Sequence, residues 1–143
     1  MLLAAYDTTL ETVVDQCAGA IAGIADDLPL EEAVSIAVDA YLNAAGSVPG
    51  HVPLLREARR LRSIAHDGHA QGSRIEESIL QPMIRRFGAP GAKETPGRVQ
   101  ALVAVMSTLV DLLQTNEDPA LQRFLRDELD AHALFALQRV RAR

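Results

Sequence analysis

The side chains best suited to metal coordination lie in one short segment, His66-Asp67-Gly68-His69. Imidazole and carboxylate groups are common ligands of transition metals. Three ligands within four loop residues would crowd one face of an ion, and no Cys or His cluster elsewhere in the sequence completes a coordination shell. We therefore interpret the segment as a solvent-exposed turn and expect no metal site.

The remaining reactive groups do not form a catalytic pattern. Cys17 is the single cysteine, and on the apolar face of a helix its thiol would be buried and unreactive. Glu128 and His132 share a helix face, but di-iron bundles need Glu-x-x-His pairs on two helices. The sequence has no Gly-rich phosphate loop, no G-x-S-x-G and no H-E-x-x-H motif. We expect a protein that is not an enzyme and uses no cofactor.

The charge balance argues against direct nucleic-acid binding. The net charge is −5 and the pI is about 5.3, whereas a nucleic-acid-binding surface normally carries a basic patch. The arginines at positions 56, 59, 60 and 62 have the spacing of a solvated helix face. No apolar run is long enough for a membrane span, and the first residues lack the basic region of a signal peptide. These features, with a single cysteine, predict a cytoplasmic protein without membrane contact.

Apolar residues recur with a period of 3.6 along almost the whole sequence, which predicts an all-α fold. Apolar residues make up 48% of the chain but aromatic residues only 3%, so the core must be built from Ala, Leu, Val and Ile. We predict a single-domain bundle over residues 1–143, with six helices near residues 2–25, 29–45, 53–65, 73–88, 96–115 and 118–141.

Prolines and caps set the predicted helix boundaries. Proline suits the first helical position, and four prolines stand at predicted helix starts: Pro29, Pro53, Pro96 and Pro119. Ser73 and Glu76 have the spacing of a capping box. Pro82 falls inside the fourth helix, where it removes a hydrogen bond and predicts a kink.

The fifth helix is apolar on nearly every side. Between Val99 and Leu113 the only polar residues are Gln100, Ser107, Thr108 and Asp111. Such a helix must be covered on both sides, and the sixth helix is itself broadly apolar. We predict that these two helices pack against their symmetry copies in a homodimer with a four-helix interface. The candidate interface residues are Val99, Leu102, Val103, Leu109, Val110, Leu113, Leu121, Phe124, Leu125 and Phe135.

Six segments, spread over essentially the whole chain, follow one another at a characteristic spacing. In chain order they are Leu2-Leu3-Ala4-Ala5-Tyr6-Asp7, Leu28-Pro29-Leu30-Glu31-Glu32-Ala33, Pro53-Leu54-Leu55-Arg56-Glu57-Ala58, Ile79-Leu80-Gln81-Pro82-Met83-Ile84, Val99 to Leu113, and Asp118 to Val140. Their succession resembles the C-terminal ligand-binding and dimerisation domain of TetR-family transcriptional regulators. In that family the matching segments are the starts of the first three helices of this domain, a pocket-lining helix and the dimerising pair.

The resemblance implies a pocket with mostly apolar walls between the first five helices, which would bind a small hydrophobic effector. Small-molecule sites are concave and apolar with few polar groups, and methionine adapts to varied ligand shapes. Tyr41 would supply one oriented hydrogen bond. The candidate pocket residues are Val14, Cys17, Val38, Tyr41, Leu61, Met83, Phe87 and Met106. Without the resemblance, the same residues are interpreted as ordinary core residues.

The resemblance also implies DNA binding through an N-terminal helix-turn-helix domain, which reads the major groove. The sequence begins near the helix that follows that domain, so we expect no operator binding by this chain alone. A truncated chain, a misplaced start codon and an orphan sensor domain remain open as explanations. The alternative function is a structural dimerisation or adaptor module that binds neither ligand nor DNA.

Overall fold

The computed structural model describes residues 2–65, 75–87 and 96–141, and within these ranges the chain forms helices and no strands. Five helices are α1 (Leu2–Ala22), α2 (Leu30–Ser47), α3 (His51–Ala65), α5 (Pro96–Thr115) and α6 (Pro119–Arg141). The remaining helix, α4, comprises Ile75, a π-helical turn over Glu76–Leu80 and an α-helix over Gln81–Phe87. The prediction of an all-α single-domain bundle is confirmed. Ser73 of the predicted capping box lies outside the described residues.

The α1 helix ends at Ala22, earlier than the predicted Ala25. The next two backbone N–H groups, of Gly23 and Ile24, donate to the carbonyl oxygens of Ala20 and Ile21 at 3.1 and 3.0 Å. These bonds span three residues instead of four, as is common where a helix terminates. The tighter final turn is the reason that the regular helix stops before the apolar pattern does.

Arg86 attaches α4 to this end of α1. Its guanidinium donates hydrogen bonds to the carbonyl oxygens of Ile21 and Ile24, and it lies 2.8 Å from a carboxylate oxygen of Asp26. The Ile21 carbonyl oxygen already accepts from the N–H of Ile24, and Ile24 lies two residues beyond the end of α1. The arginine adds a donor to each of the two carbonyl oxygens and joins the end of α1 to α4.

A sharp turn carries the chain from α2 into α3. Gly50 has a φ of +77°, in the left-handed region that glycine adopts without steric cost. The α3 helix then begins at His51, two positions before Pro53, at which we predicted the start. Proline is tolerated there because the N–H groups of the first turn have no helical partner in any case.

The α6 helix begins as the sequence predicts. Pro119 is its first residue, and the Asp118 carboxylate accepts a hydrogen bond of 3.0 Å from the backbone N–H of Ala120. This is the usual capping arrangement for an aspartate at a helix start.

The core is organised around the apolar side of α1. Tyr6, Leu10, Cys17 and Ile21 are each at most 1% exposed. The α1 helix packs against α2, α3 and α4, while α6 packs against α2 and α5 lies against α6 and α3. This arrangement leaves a space that is lined by α2, α4, α5 and α6.

Candidate ligand-binding site

Four helices line a partly open cavity of about 80 Å³. Its described walls come from α2, α4, α5 and α6, and α1 and α3 contribute none of them. The lining residues are Val34, Ala37, Val38 and Tyr41 of α2; Ile75, Ile79, Leu80 and Met83 of α4; Met106 and Val110 of α5; and Leu129, Ala133 and Leu137 of α6.

The α4 wall of the cavity contains the irregular part of that helix. Ile79 and Leu80 lie in the π-helical turn, and Met83 lies one residue beyond Pro82. Proline has no N–H to donate to the carbonyl group four residues earlier, which belongs to Ser78. A π-helical turn pairs residues five apart and is a common irregularity at functional sites. The structure therefore places a π-helical turn directly before the proline for which we predicted a kink.

Half of the predicted pocket residues line this cavity: Val38, Tyr41, Met83 and Met106. Val14, Cys17 and Phe87 are instead buried in the core outside the described cavity wall. The side chain of Leu61 lies outside what the structure describes. The pocket is thus displaced from the expected position between the first five helices, because the apolar side of α1 is covered by α2, α3 and α4.

Tyr41 carries the only nitrogen or oxygen atom among the side chains of the described lining residues. The neighbours of its hydroxyl group include Tyr6 and Cys17 of α1, which lie outside the described cavity wall. Burial, followed by the neighbouring Tyr6 and Cys17, raises the pKa of Tyr41 well above its ordinary value. The phenol therefore stays protonated at neutral pH and can donate a hydrogen bond.

The charged residues beside the cavity are paired with one another. Arg126 of α6 is 2.9 Å from Asp130, contacts Asp39 of α2, and donates to the carbonyl oxygen of Ser35 at 3.1 Å. Ser35 and Asp39 directly follow the lining residues Val34 and Val38 in sequence. The network therefore joins α2 to α6 without adding a charge to the described cavity wall.

Cys17 lies in the core beneath α2. Its Sγ atom is 3.9 Å from the carbonyl oxygen of Ala37, and burial raises the pKa of the thiol to about 12. A thiol that is protonated at neutral pH is a poor nucleophile and a poor metal ligand. Its role in the described structure is packing.

The described residues contain no cluster of three or more His, Cys, Asp or Glu that could hold a metal ion. His66, Asp67 and His69 lie outside the described residues. On α6, His132 Nε2 is 3.7 Å from a carboxylate oxygen of Glu128, and both side chains are close to half exposed. Among the described helices, none is long and apolar enough to cross a membrane.

His51 is a buried polar residue that the sequence pattern did not reveal. It is 1% exposed, stacks on the ring of Tyr6 at 5.6 Å between centroids, and has Nδ1 2.9 Å from Thr9 Oγ1. Thr9 Oγ1 is also 2.9 Å from the carbonyl oxygen of Tyr6, so its one hydrogen is available either to that oxygen or to the imidazole. Which atom of the Thr9–His51 pair donates depends on the tautomer of the imidazole.

The predicted interface residues divide into two groups. Val110 lines the cavity, Leu125 is 5% exposed in the core, and Leu109 and Leu113 are partly buried. Leu121, Phe124 and Phe135 of α6 are 36%, 58% and 56% exposed. The side chains of Val99, Leu102 and Val103 lie outside what the structure describes.

Two further large apolar side chains of α5, Val105 and Leu112, are each 41% exposed. Together with Leu121, Phe124 and Phe135 they form what we call the C-terminal apolar surface. Only one other large apolar side chain in the described part of the chain is exposed, Ile36 of α2 at 40%. Apolar exposure is therefore concentrated on the last two helices.

No protein-family model, no curated protein and no solved structure matches this chain.

Burial of His51 makes stability depend on pH. Burial lowers the pKa of His51, so the unfolded state binds this proton more readily than the folded state does. We expect the free energy of unfolding to fall as the pH drops through about 6.5, with a slope of at most about 1.4 kcal/mol per pH unit from this one proton. The measurement is urea unfolding between pH 8 and pH 5.

His51→Gln should show a shallower loss of stability with falling pH than the wild type. His132→Gln, which replaces a half-exposed histidine of α6, is the control and should keep the wild-type slope. An unchanged slope in His51→Gln would show that this histidine is not the source of the dependence.

Proposed function

We propose that this chain is the effector-binding and homodimerisation domain of a cytoplasmic TetR-like transcriptional regulator. DNA would be read by a helix-turn-helix domain outside this sequence. The observation that carries the proposal is the apolar cavity between α2, α4, α5 and α6.

The cavity supports a binding role because its wall is an apolar surface that a ligand can cover. Protein interiors are close-packed and contain few voids larger than a water molecule. A space of about 80 Å³ between four helices therefore stands out. Larger side chains at Ala37 or Ala133 would fill it, and a ligand that occupies it would gain contacts with the apolar wall.

The cavity wall favours an uncharged ligand. Transfer of a charged group into such surroundings is strongly unfavourable unless an opposite charge pairs with it. Arg126 of α6 is already paired with Asp39 and Asp130. A small apolar molecule is therefore the ligand class that this wall accommodates.

The α4 helix contacts both the cavity and the end of α1, so a change at the cavity can be transmitted to α1. Met83 lines the cavity, and Arg86, one turn later, binds two carbonyl groups at the end of α1 and just beyond it. A ligand that binds one arrangement of α4 better than another would shift the population of both helices. In a regulator of this type, α1 is the helix that would connect to the DNA-reading domain.

The C-terminal apolar surface supports homodimerisation. Large exposed apolar areas in a water-exposed protein commonly mark an interaction site. In a two-fold symmetric dimer each contact occurs twice, so Phe124 and its copy would both be buried. An adaptor module without a ligand would share this surface, and the cavity is what favours the sensor over the adaptor.

Filling the cavity should abolish ligand binding while leaving the fold intact. We expect Ala133→Leu to raise the free energy of unfolding by about 0.5–2 kcal/mol, the range typical of cavity-filling substitutions. Indane, a small uncharged hydrocarbon, should raise the Tm of the wild type by several degrees at saturation and leave that of Ala133→Leu unchanged. Differential scanning calorimetry measures both effects.

Ala20→Leu is the matched control, since Ala20 is an exposed alanine of α1. This variant should respond to indane as the wild type does. A wild type whose Tm does not respond to indane, or an Ala133→Leu variant that still responds, would contradict binding in this cavity.

A charge on the C-terminal apolar surface should dissociate the dimer. We expect the wild type to be a dimer at micromolar concentration, and Phe124→Glu to weaken association by on the order of a hundredfold or more, since two phenylalanine side chains would be lost from the interface. Ile36→Glu, at a side chain of comparable size on α2, should remain dimeric. Sedimentation equilibrium distinguishes these states, and a monomeric wild type would refute the proposed dimer.

A further inference from the structure

The π-helical turn of α4 lies against both the cavity and α1. It spans Glu76–Leu80, packs against α1, and contributes Ile79 and Leu80 to the cavity wall. Both of these side chains are buried. Such turns are rare inside helices and occur frequently at functional sites. A change in the helical form of this one turn would therefore be felt at the cavity and at α1.

The turn determines which side chains of α4 face the cavity. Consecutive residues of an α-helix are rotated by about 100°, so Ile75 and Leu80 would lie about 140° apart around an α-helix. In a π-helical turn, residues five positions apart are hydrogen-bonded partners and lie on the same side. Ile75 and Leu80 both line the cavity, together with Ile79 and Met83. The π-helical form thus brings four side chains of α4 to one wall.

An α-helical form of the same segment would separate these contacts. A π-helical turn holds about one residue more than an α-helical turn, so the change would rotate Met83 and Arg86 by about 100° relative to Ile75. The cavity contact of Ile75 and the hydrogen bonds from Arg86 to the end of α1 could then not be kept together. The two forms therefore differ at the cavity and at α1.

Pro82 favours the π-helical form. In a continuous α-helix its ring would meet the carbonyl group of Ser78, four residues earlier, and it has no N–H to donate to that group. Pro82 follows the last residue of the π-helical turn by two positions. An alanine at this position would remove the bias against the α-helical form.

We infer that the π-helical turn is the ligand-responsive element of the bundle, with ligand binding favouring the π-helical form over the α-helical form. A ligand that contacts all four α4 side chains binds more tightly to the form that brings them together, and this difference shifts the equilibrium. Arg86 is bonded to the end of α1 in the π-helical form, so cavity occupancy and this contact change together. The inference rests on the proposed function, because it requires a ligand in the cavity, and it adds the two arrangements between which that ligand selects.

Pro82→Ala tests the inference with indane as the ligand. The substitution permits the α-helical form, and a protein whose binding-competent form is only partly populated binds its ligand more weakly in proportion. We expect titration calorimetry to give an affinity for indane about tenfold lower than that of the wild type. Pro53→Ala is the control, since Pro53 lies in the first turn of α3, where N–H groups have no helical partner. This variant should bind indane as the wild type does.

The carbonyl carbon resonances of Ile21 and Ile24 provide a readout that a simple loss of cavity packing would not change. Without ligand, we expect both resonances in Pro82→Ala to differ from those of the wild type, because Arg86 leaves these groups in the α-helical form. Saturating indane should return them to their wild-type positions, since the ligand restores the π-helical form. Pro53→Ala should show the wild-type resonances throughout.

Either wild-type affinity for indane or wild-type resonances in ligand-free Pro82→Ala would overturn the inference. Resonances that saturating indane does not restore would overturn it equally, because the ligand would then not select between the two forms. Failure of the wild type to bind indane would instead overturn the proposed function on which the inference rests.

Discussion

Burial of one side of α1 is the constraint on which the rest of the described bundle depends. Tyr6, Leu10, Cys17 and Ile21 are almost completely removed from solvent, and α2, α3 and α4 cover them directly. Full burial of a large apolar side chain contributes about 1.5–3 kcal/mol. The helices that cover α1 are therefore held against it by apolar packing. The α5 and α6 helices attach to this inner layer through α3 and α2, and the cavity forms where these outer helices meet α2 and α4.

The composition of the core explains how a cavity can persist there. The sequence has three Phe, two Tyr and no Trp, so the space between four helices must be filled by aliphatic side chains. Ala37 and Ala133 place small side chains on α2 and α6, where those helices face the cavity. The Arg126 network holds α2 and α6 together at their edge. Together these features hold the walls in place and leave the interior between them apolar.

The sequence predicted the fold more fully than the site. The 3.6-residue period located the helices, and Asp118 with Pro119 correctly marked the start of α6, because these signals are local. The cavity wall could be predicted only in part: Val38, Tyr41, Met83 and Met106 were among the candidates, but the contribution of α6 depends on how distant helices pack. The burial of His51 could not be predicted from the local sequence, because it results from contacts with Tyr6 and Thr9, which are remote in sequence. The resemblance to TetR-family regulators stays a prediction.

The central claim is that the cavity between α2, α4, α5 and α6 is an accessible apolar binding site. Crystals of the wild-type protein pressurised with xenon test this most directly, because xenon occupies apolar cavities without requiring a particular polar contact. The account predicts a xenon atom in contact with Val38, Met83 and Leu129. A crystal structure in which side chains close this space, with xenon bound elsewhere or not at all, would contradict it.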